Sequence, residues 1–226
     1  MLLKFHLKLI QRNHADAYRQ LILKSHANAK SFSIRPAVAE WNEADEICFP
    51  LGIFQNKKLI SCMRLEPISD LSSLNYRLKS KFTLSNRYLP AAYLSKAGTL
   101  PEYCNLGLNT LLRLVAFQMC ETWQIQTVFG KMMANSPRVQ TMKKMGYTFK
   151  ASRSKWNGSY TSSAPPLLAM LDLKTKAPSA FRYMNEHCKE LLTQTKIDPR
   201  IFELSPKSPA QIKSLILTYQ SPVQSI

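Results

Sequence analysis

With 226 residues, 45% hydrophobic and 10% aromatic, the chain carries enough apolar material for one good core and a small appendage. Six glycines and thirteen prolines exclude a fibrous or low-complexity chain, and no apolar run approaches the roughly eighteen residues of a membrane-spanning helix. A net charge of +17 predicts an anionic partner: acidic protein, membrane surface or nucleic acid.

Leu3, Phe5, Leu7 and Leu9 alternate with Lys4, His6 and Lys8, a period of two that predicts a strand. The same polar residues interrupt the apolar run that a leader peptide requires and no small-residue cleavage site follows, so a cytoplasmic chain is expected. A helix is expected from about Asn13 to Ala27, capped by Asn13, with Ala17, Leu21 and Lys24 along one face. After a loop at Pro36, Ile47–Gln55 and Lys58–Leu65 read as two strands of a hairpin turning at Gln55-Asn56-Lys57. Asp70–Lys81 is helix-compatible, and Ala92–Leu100 reads as a strand ended by Pro101, which has no amide proton for a ladder.

Leu108–Trp123 is amphipathic, with Leu111, Leu112, Val115, Met119 and Thr122 at core spacing. Ile125–Met132 is β-rich. Ser136–Met145 reads as a short helix with Pro137 in its first turn and Gly146 as its C-terminal cap. Tyr147–Ala151 and Leu167–Leu173 complete the strands. This order predicts an α/β fold with a mixed central sheet and helices on both faces. Residues 1–174 are expected to form that domain. Beyond Lys174 the composition turns to Pro and Ser with helical patches at Ala177–Thr193 and Pro209–Tyr219, so 175–226 is expected to be a C-terminal helical extension.

Cys48, Cys62, Cys104, Cys120 and Cys188 are odd in number, widely spaced and form no C-x-x-C pair. They are expected to be buried free thiols, with neither a disulfide framework nor a metal site. His6, His14 and His26 lie near the N-terminus, far in sequence from any candidate cysteine nucleophile, which argues against a Cys-His hydrolase. No Asp or Glu occurs between Glu121 and Asp172, while Lys131, Arg138, Lys143, Lys144, Lys150, Arg153 and Lys155 all fall there. That interval is either a solvated basic face or a docking surface for something anionic.

The segment Thr99-Leu100-Pro101-Glu102-Tyr103-Cys104-Asn105-Leu106-Gly107-Leu108-Asn109 joins a strand to an amphipathic helix. Backbone amides at such a helix start converge on one point, the helix dipole favours an anion there, and Gly107 permits close approach of a ligand. The segment resembles the acyl-CoA turn of the GNAT acyltransferases, V-x-P-x-Y-R-G-x-G-x-G, matching at Pro101, Tyr103 and Gly107. Asn135 to Tyr147 is similar to their second motif, N-x-x-A-x-x-x-Y-x-x-x-G-F, matching at Asn135 and Gly146. Cys104, Asn105 and Asn109 stand where the Arg and two Gly of the phosphate turn are found, and Met142 where many N-acetyltransferases keep a Tyr acid.

Trp41-Asn42-Glu43-Ala44-Asp45, Ser61-Cys62-Met63-Arg64-Leu65, Tyr93-Leu94-Ser95-Lys96 and Ile125-Gln126-Thr127 are similar to one branch of that superfamily, the autoinducer synthases and long-chain N-acyl amino acid synthases. Asn42, Tyr93 and Lys96 depart from the acidic and Arg positions of the autoinducer pattern, so the N-acyl amino acid synthases are the nearer likeness. The resemblance implies an acyl group moved from an acyl carrier protein to the amine of a small molecule. No permanently bound cofactor is implied; acyl-phosphopantetheine or acyl-CoA is a co-substrate.

By the resemblance and by residue chemistry, Asp45 is the expected base or amine holder, with Tyr93 and Ser95 either protonating the leaving thiolate or ordering water. Trp41, Arg64 and Lys96 are expected at the substrate, Arg64 either on a substrate carboxylate or in a structural ion pair. Lys96 is expected to face a phosphate or solvent. The donor is expected at Ala97, Thr99, Tyr103, Cys104, Asn105, Leu106, Gly107, Leu108, Asn109 and Asn135, the amides near Ala97 serving the thioester oxyanion. Trp41, Phe49 and Phe54 are either plain core or the lining of an acyl tunnel.

The expected partner is an acidic acyl carrier protein on the basic interval Lys131–Lys155, beside a small amine acceptor and possible peripheral membrane contact. Nucleic acid is not expected, because no recognition motif and no interleaved aromatics accompany the charge. An acetyl-CoA-dependent acetyltransferase and a non-catalytic basic module are the competing readings.

Overall fold

The computed structural model describes residues 4–27, 32–78, 84–151, 160–162 and 166–205. Strand β1 (Phe5–Leu9) leads to helix α1 (Ala15–Ala27), strand β2 (Phe32–Ile34) and the short helices α2 (Pro36–Ala39) and α3 (Glu43–Ile47). The hairpin β3 (Phe49–Gln55) and β4 (Lys58–Ile68) follows, then α4 (Leu71–Leu78), β5 (Ala91–Thr99), α5 (Leu108–Thr122) and β6 (Thr127–Met133). The chain closes with α6 (Arg138–Lys144), β7 (Thr148–Ala151), β8 (Tyr160–Ser162), β9 (Pro166–Asp172), α7 (Leu173–Thr193), β10 (Thr195–Ile197) and α8 (Arg200–Glu203). Leu3, Arg153, Lys155 and the expected patch Pro209–Tyr219 lie outside the described residues.

Eight strands form one sheet in the order β10-β1-β3-β4-β5-β6-β9-β7, while β2 and β8 pair separately. Within it β1–β10 and β5–β6 are parallel and the other neighbours antiparallel, so the sheet is mixed as expected. The β3–β4 turn has positive φ at Asn56 (47°) and Lys57 (68°), the conformation whose twist suits a two-residue hairpin. Strand β3 begins later than the hydrophobic run suggests because Glu43–Ile47 turns into α3 behind a reciprocal capping box of Asn42 and Asp45. Five helical residues are too few to show a 3.6 period.

Helix α1 is preceded by a 3₁₀ turn at Arg12–His14, so Asn13 lies inside that turn and is not the cap. Its buried face is Tyr18, Leu21 and Ile22; Ala17 and Lys24 are exposed. The helix rests on β5 at Gly98, where a Cβ would lie 2.7 Å from Ser25 Oγ and 2.9 Å from Leu21 Cδ2.

Helix α5 packs on the sheet with Leu111, Leu112, Val115 and Met119 fully buried. Each such side chain contributes about 1.5–3 kcal/mol. Helix α7 lies against α5 and buries Ala177, Ala180, Met184 and Leu191. The boundary expected after Lys174 thus falls inside α7, and β10 beyond it extends the sheet alongside β1. Gly146 closes α6 at φ 91°, with its amide on Lys143 O (2.9 Å) and the Tyr147 amide on Met142 O (3.1 Å). Among the described residues no helix is long and apolar enough to cross a membrane.

Candidate active site

The site begins where two parallel strands part. β5 and β6 pair from Ala91–Thr127 to Leu94–Gly130, yet β5 runs on to Thr99 and β6 to Met133. On its other edge β5 carries a bulge: Cys62 pairs with Gly98 and Arg64 with Ser95, so Lys96 and Ala97 together oppose Met63. Lys96 adopts φ 46° there. A bulge re-aims the side chains beside it, and here it turns Lys96 under α1.

At the far end of β5, Pro101–Tyr103 forms a 3₁₀ turn. Asn105 (φ 66°) and Gly107 (φ 79°) then take left-handed conformations before α5 starts at Leu108. Gly107 caps α5, whose first-turn amides have no partner within the helix, so this turn, the nest, is a candidate anion site. Among the described residues the buried Asn109 Nδ2 has no hydrogen-bond partner. Arg138, in the first turn of α6, is open to solvent but flanked by protein; desolvation and then the charge of Arg113 push its guanidinium below its usual value. Its charge is within electrostatic reach of Cys104 and Cys62. Among the described residues neither Arg113 nor Arg138 forms an ion pair.

Under α1, by contrast, charge is closely matched. Arg64 Nη1 donates to Asp45 Oδ1 (3.0 Å) and Lys96 Nζ to Asp45 Oδ2 (2.6 Å). The Asn42 amide reaches Oδ2 at 3.0 Å and the Tyr18 hydroxyl Oδ1 at 3.4 Å. Lys96 also donates to Glu40 O (2.7 Å) and lies over the Tyr18 ring at 5.4 Å. Arg64 Nε bonds Ser95 Oγ (3.0 Å), its Nη2 lies 3.7 Å from Glu66 Oε2, and Arg77 pairs with Glu66 from α4. Burial and the charge of Arg64 pull Lys96 below its usual range, while Asp45 pulls the other way. Burial opposes the charge of Arg64, but the carboxylates of Glu66 and Asp45 hold it firmly protonated.

No family model and no curated protein matches the chain by sequence. Solved structures do resemble it. FeeM, an N-acyl amino acid synthase from uncultured soil microbes, superposes with a TM-score of 0.58 at 12% identity, covering 80% of this chain and 97% of its own. BjaI, a CoA-dependent acyl-homoserine lactone synthase, gives 0.55 at 13% identity over 94% of this chain and 99% of its own. A probable acetyltransferase from Staphylococcus epidermidis gives 0.52 at 14% identity over 74% and 98%. The fold is that of the GNAT acyltransferases.

On this GNAT fold the expected residues divide into two groups. Trp41, Asp45, Arg64, Ser95 and Lys96 converge beneath α1. Asp45 is not placed as a base: its contacts occupy the four lone-pair directions of the carboxylate, so it organises cations. Arg64 makes the structural ion pair, its side chain 7% exposed. Lys96, at 6%, faces Asp45 and neither a phosphate nor solvent.

Cys104, Asn105, Leu106 and Gly107 form the nest with Ala97 on the strand before it. Three expected donor residues point elsewhere. Thr99 Oγ1 meets Ser61 Oγ at 2.8 Å inside the sheet, Leu108 is core, and Tyr103 donates to Gln55 Oε1 (2.8 Å) on the β3–β4 hairpin. Asn135 is exposed at the end of β6, and Tyr93 packs beside Phe129 near α4.

Phe49 sits on Trp123 (4.6 Å between centroids), Phe54 beside His14 (5.1 Å) and Trp41 beside Tyr18 (5.6 Å), so the three do not share one channel. Met142 is buried core. Cys104 is exposed, against expectation, while the other four thiols are buried. Burial pushes Cys48 and Cys62 up to about 12, which removes them as nucleophiles.

Tyr18, Glu66 and Arg113 were missed from the sequence. Glu66 was legible, since it follows Arg64 by two residues on a strand and therefore shares its face. Tyr18 and Arg113 lie on helices whose partners come from distant segments, and nothing local marks them.

Proposed function

We propose that this chain is an N-acyltransferase that moves a long acyl chain from an acyl carrier protein thioester to the amine of an amino acid or similar small molecule. The observation that carries this reading is the parting of β5 and β6 after Leu94 and Gly130, between a cationic nest and a charge cluster. An extended pantetheine arm fits such a gap by adding its amides to the free edge of β5, the way an added strand binds a sheet. Its single phosphate asks less of the nest than a pyrophosphate does. Arg138 supplies from α6 the charge that Cys104 does not supply from the turn.

The acceptor lies on the cluster side. There three cations, Arg64, Arg77 and Lys96, face two carboxylates, Asp45 and Glu66, and the positive excess favours an acceptor that carries its own carboxylate. Trp41 and Ser95 are its partly exposed members and would meet that molecule. The acceptor nitrogen attacks the thioester carbonyl, the C–N bond forms, and the C–S bond breaks. An ordered water takes the amine proton. Ser95 Oγ already accepts from Arg64 and keeps its own proton to give to the departing thiolate. β5 amides near Ala97 stabilise the oxyanion in between.

A free CoA thioester is the second reading, favoured by the likeness to BjaI, whose structure is described with isopentyl-CoA. The test offers one long acyl chain on holo carrier protein and on CoA, with acetyl-CoA as a third donor, to a mixture of amino acids, and detects amides by mass spectrometry. The proposal expects a long-chain amide with kcat/KM at least about tenfold higher for the carrier thioester. Preference for CoA would overturn the donor, and no amide from any donor would overturn the activity.

A further inference from the structure

A second cationic region lies across the hairpin from the nest. Because β1 pairs with both β3 and β10, His6 lies opposite Phe54 on one side and Lys196 on the other. Lys4 and Lys8 flank His6 at strand spacing and share its face. With Lys57 at the hairpin tip they line a groove of about 490 Å³ that contains no carboxylate. Asp198, whose charge reaches His6, is clamped by Arg200 at 2.6 Å. Lys8 Nζ rests over the Phe54 ring at 4.6 Å. Burial, then Lys8 and Lys196, push His6 below its usual value, as a positive field requires.

The groove and the nest share one hairpin. On its other side Lys58 pairs with Glu102 at 3.0 Å and Gln55 accepts from Tyr103 at 2.8 Å, both in the turn before α5. A macromolecule that delivers an arm to the nest therefore comes to rest over Lys57 and the groove. We infer that this groove is the docking surface for the acidic carrier protein, a site distinct from the basic interval around α6. The inference rests on the carrier-dependent reading above. Its chemistry favours an acidic protein face: four separate lysines are mobile point charges suited to spread carboxylates, whereas convergent phosphate recognition uses Arg forks.

The test compares wild type with a Lys4→Glu/Lys57→Glu/Lys196→Glu variant on one acyl chain carried either by holo carrier protein or by free pantetheine. KM for the carrier thioester should rise about tenfold or more in the variant with kcat unchanged, while the pantetheine thioester is unaffected. Raising salt from about 50 to 300 mM should raise the wild-type carrier KM in the same direction. Equal KM values for the two proteins, or an equal loss on both donors, would overturn the docking surface. So would finding the whole effect in Lys143→Glu/Lys144→Glu on α6. If wild type fails to turn over any carrier thioester, the functional reading fails, and anisotropy of labelled holo carrier still decides the groove. Binding that the triple variant abolishes supports it; no binding, or displacement by RNA alone, overturns it.

Discussion

The two charged regions beside β5 are built on opposite principles. Beneath α1, Asp45 holds Arg64 and Lys96 within 3.0 Å, both cations nearly excluded from water. Beside the nest, the exposed Arg138 has no carboxylate partner among the described residues. Buried ions must be matched from within or they destabilise the fold. Charges at a wet edge can be left for a ligand to neutralise. The first region is therefore expected to govern stability and the second binding, and three measurements can break that division.

The largest effect is expected at the matched cluster. Asp45→Asn leaves two buried cations without their shared carboxylate and should cost about 3–5 kcal/mol in urea unfolding. A loss below about 1 kcal/mol would mean that the pairs are not what holds the cations, and the contrast between the regions would collapse.

An intermediate effect is expected at His26 on α1, which burial and then the charge of Arg138 hold down to about 4. Because the folded value lies below the ordinary 6.5, neutral His26 stabilises the fold fully above about pH 6.5, and that contribution is lost as pH falls through about 4. His26→Gln should flatten the pH dependence of unfolding free energy in that window, by an amount on the order of 3 kcal/mol. An unchanged slope would show that neither burial nor the field of Arg138 holds His26 down.

The smallest stability effect is expected at Arg138 itself. Arg138→Ala should change unfolding by less than about 0.5 kcal/mol yet raise the KM of a phosphate-bearing donor about tenfold. Equal loss of stability and affinity would make Arg138 structural and move it into the first class.

Much of the fold was readable because it rests on local rules. The alternation at Phe5–Leu9, the turn at Asn56-Lys57 and the cap at Gly146 each appear where short-range geometry demands them. The turn before α5 was legible for the same reason, since strand, Pro101, Gly107 and amphipathic helix follow one another in the chain. The charge cluster was half legible. Its members could be named, but Asp45 read as a base or amine holder and Lys96 as facing solvent or a phosphate because their partners come from α1, α3, β4 and β5 at once. Thr99 and Tyr103 were misread because whether a residue beside a nest faces ligand or neighbour depends on the strand packed against it.

By itself the sequence determined the periodicities, the strand and helix order, and a strand-to-helix turn fit for an anion, since each is settled by contacts within a few residues. Only the tertiary structure decided where the charges of this +17 chain are cancelled and where they are left open. Pairing a buried charge requires atoms about 3 Å apart from segments tens of residues distant, and only the packed sheet sets that distance.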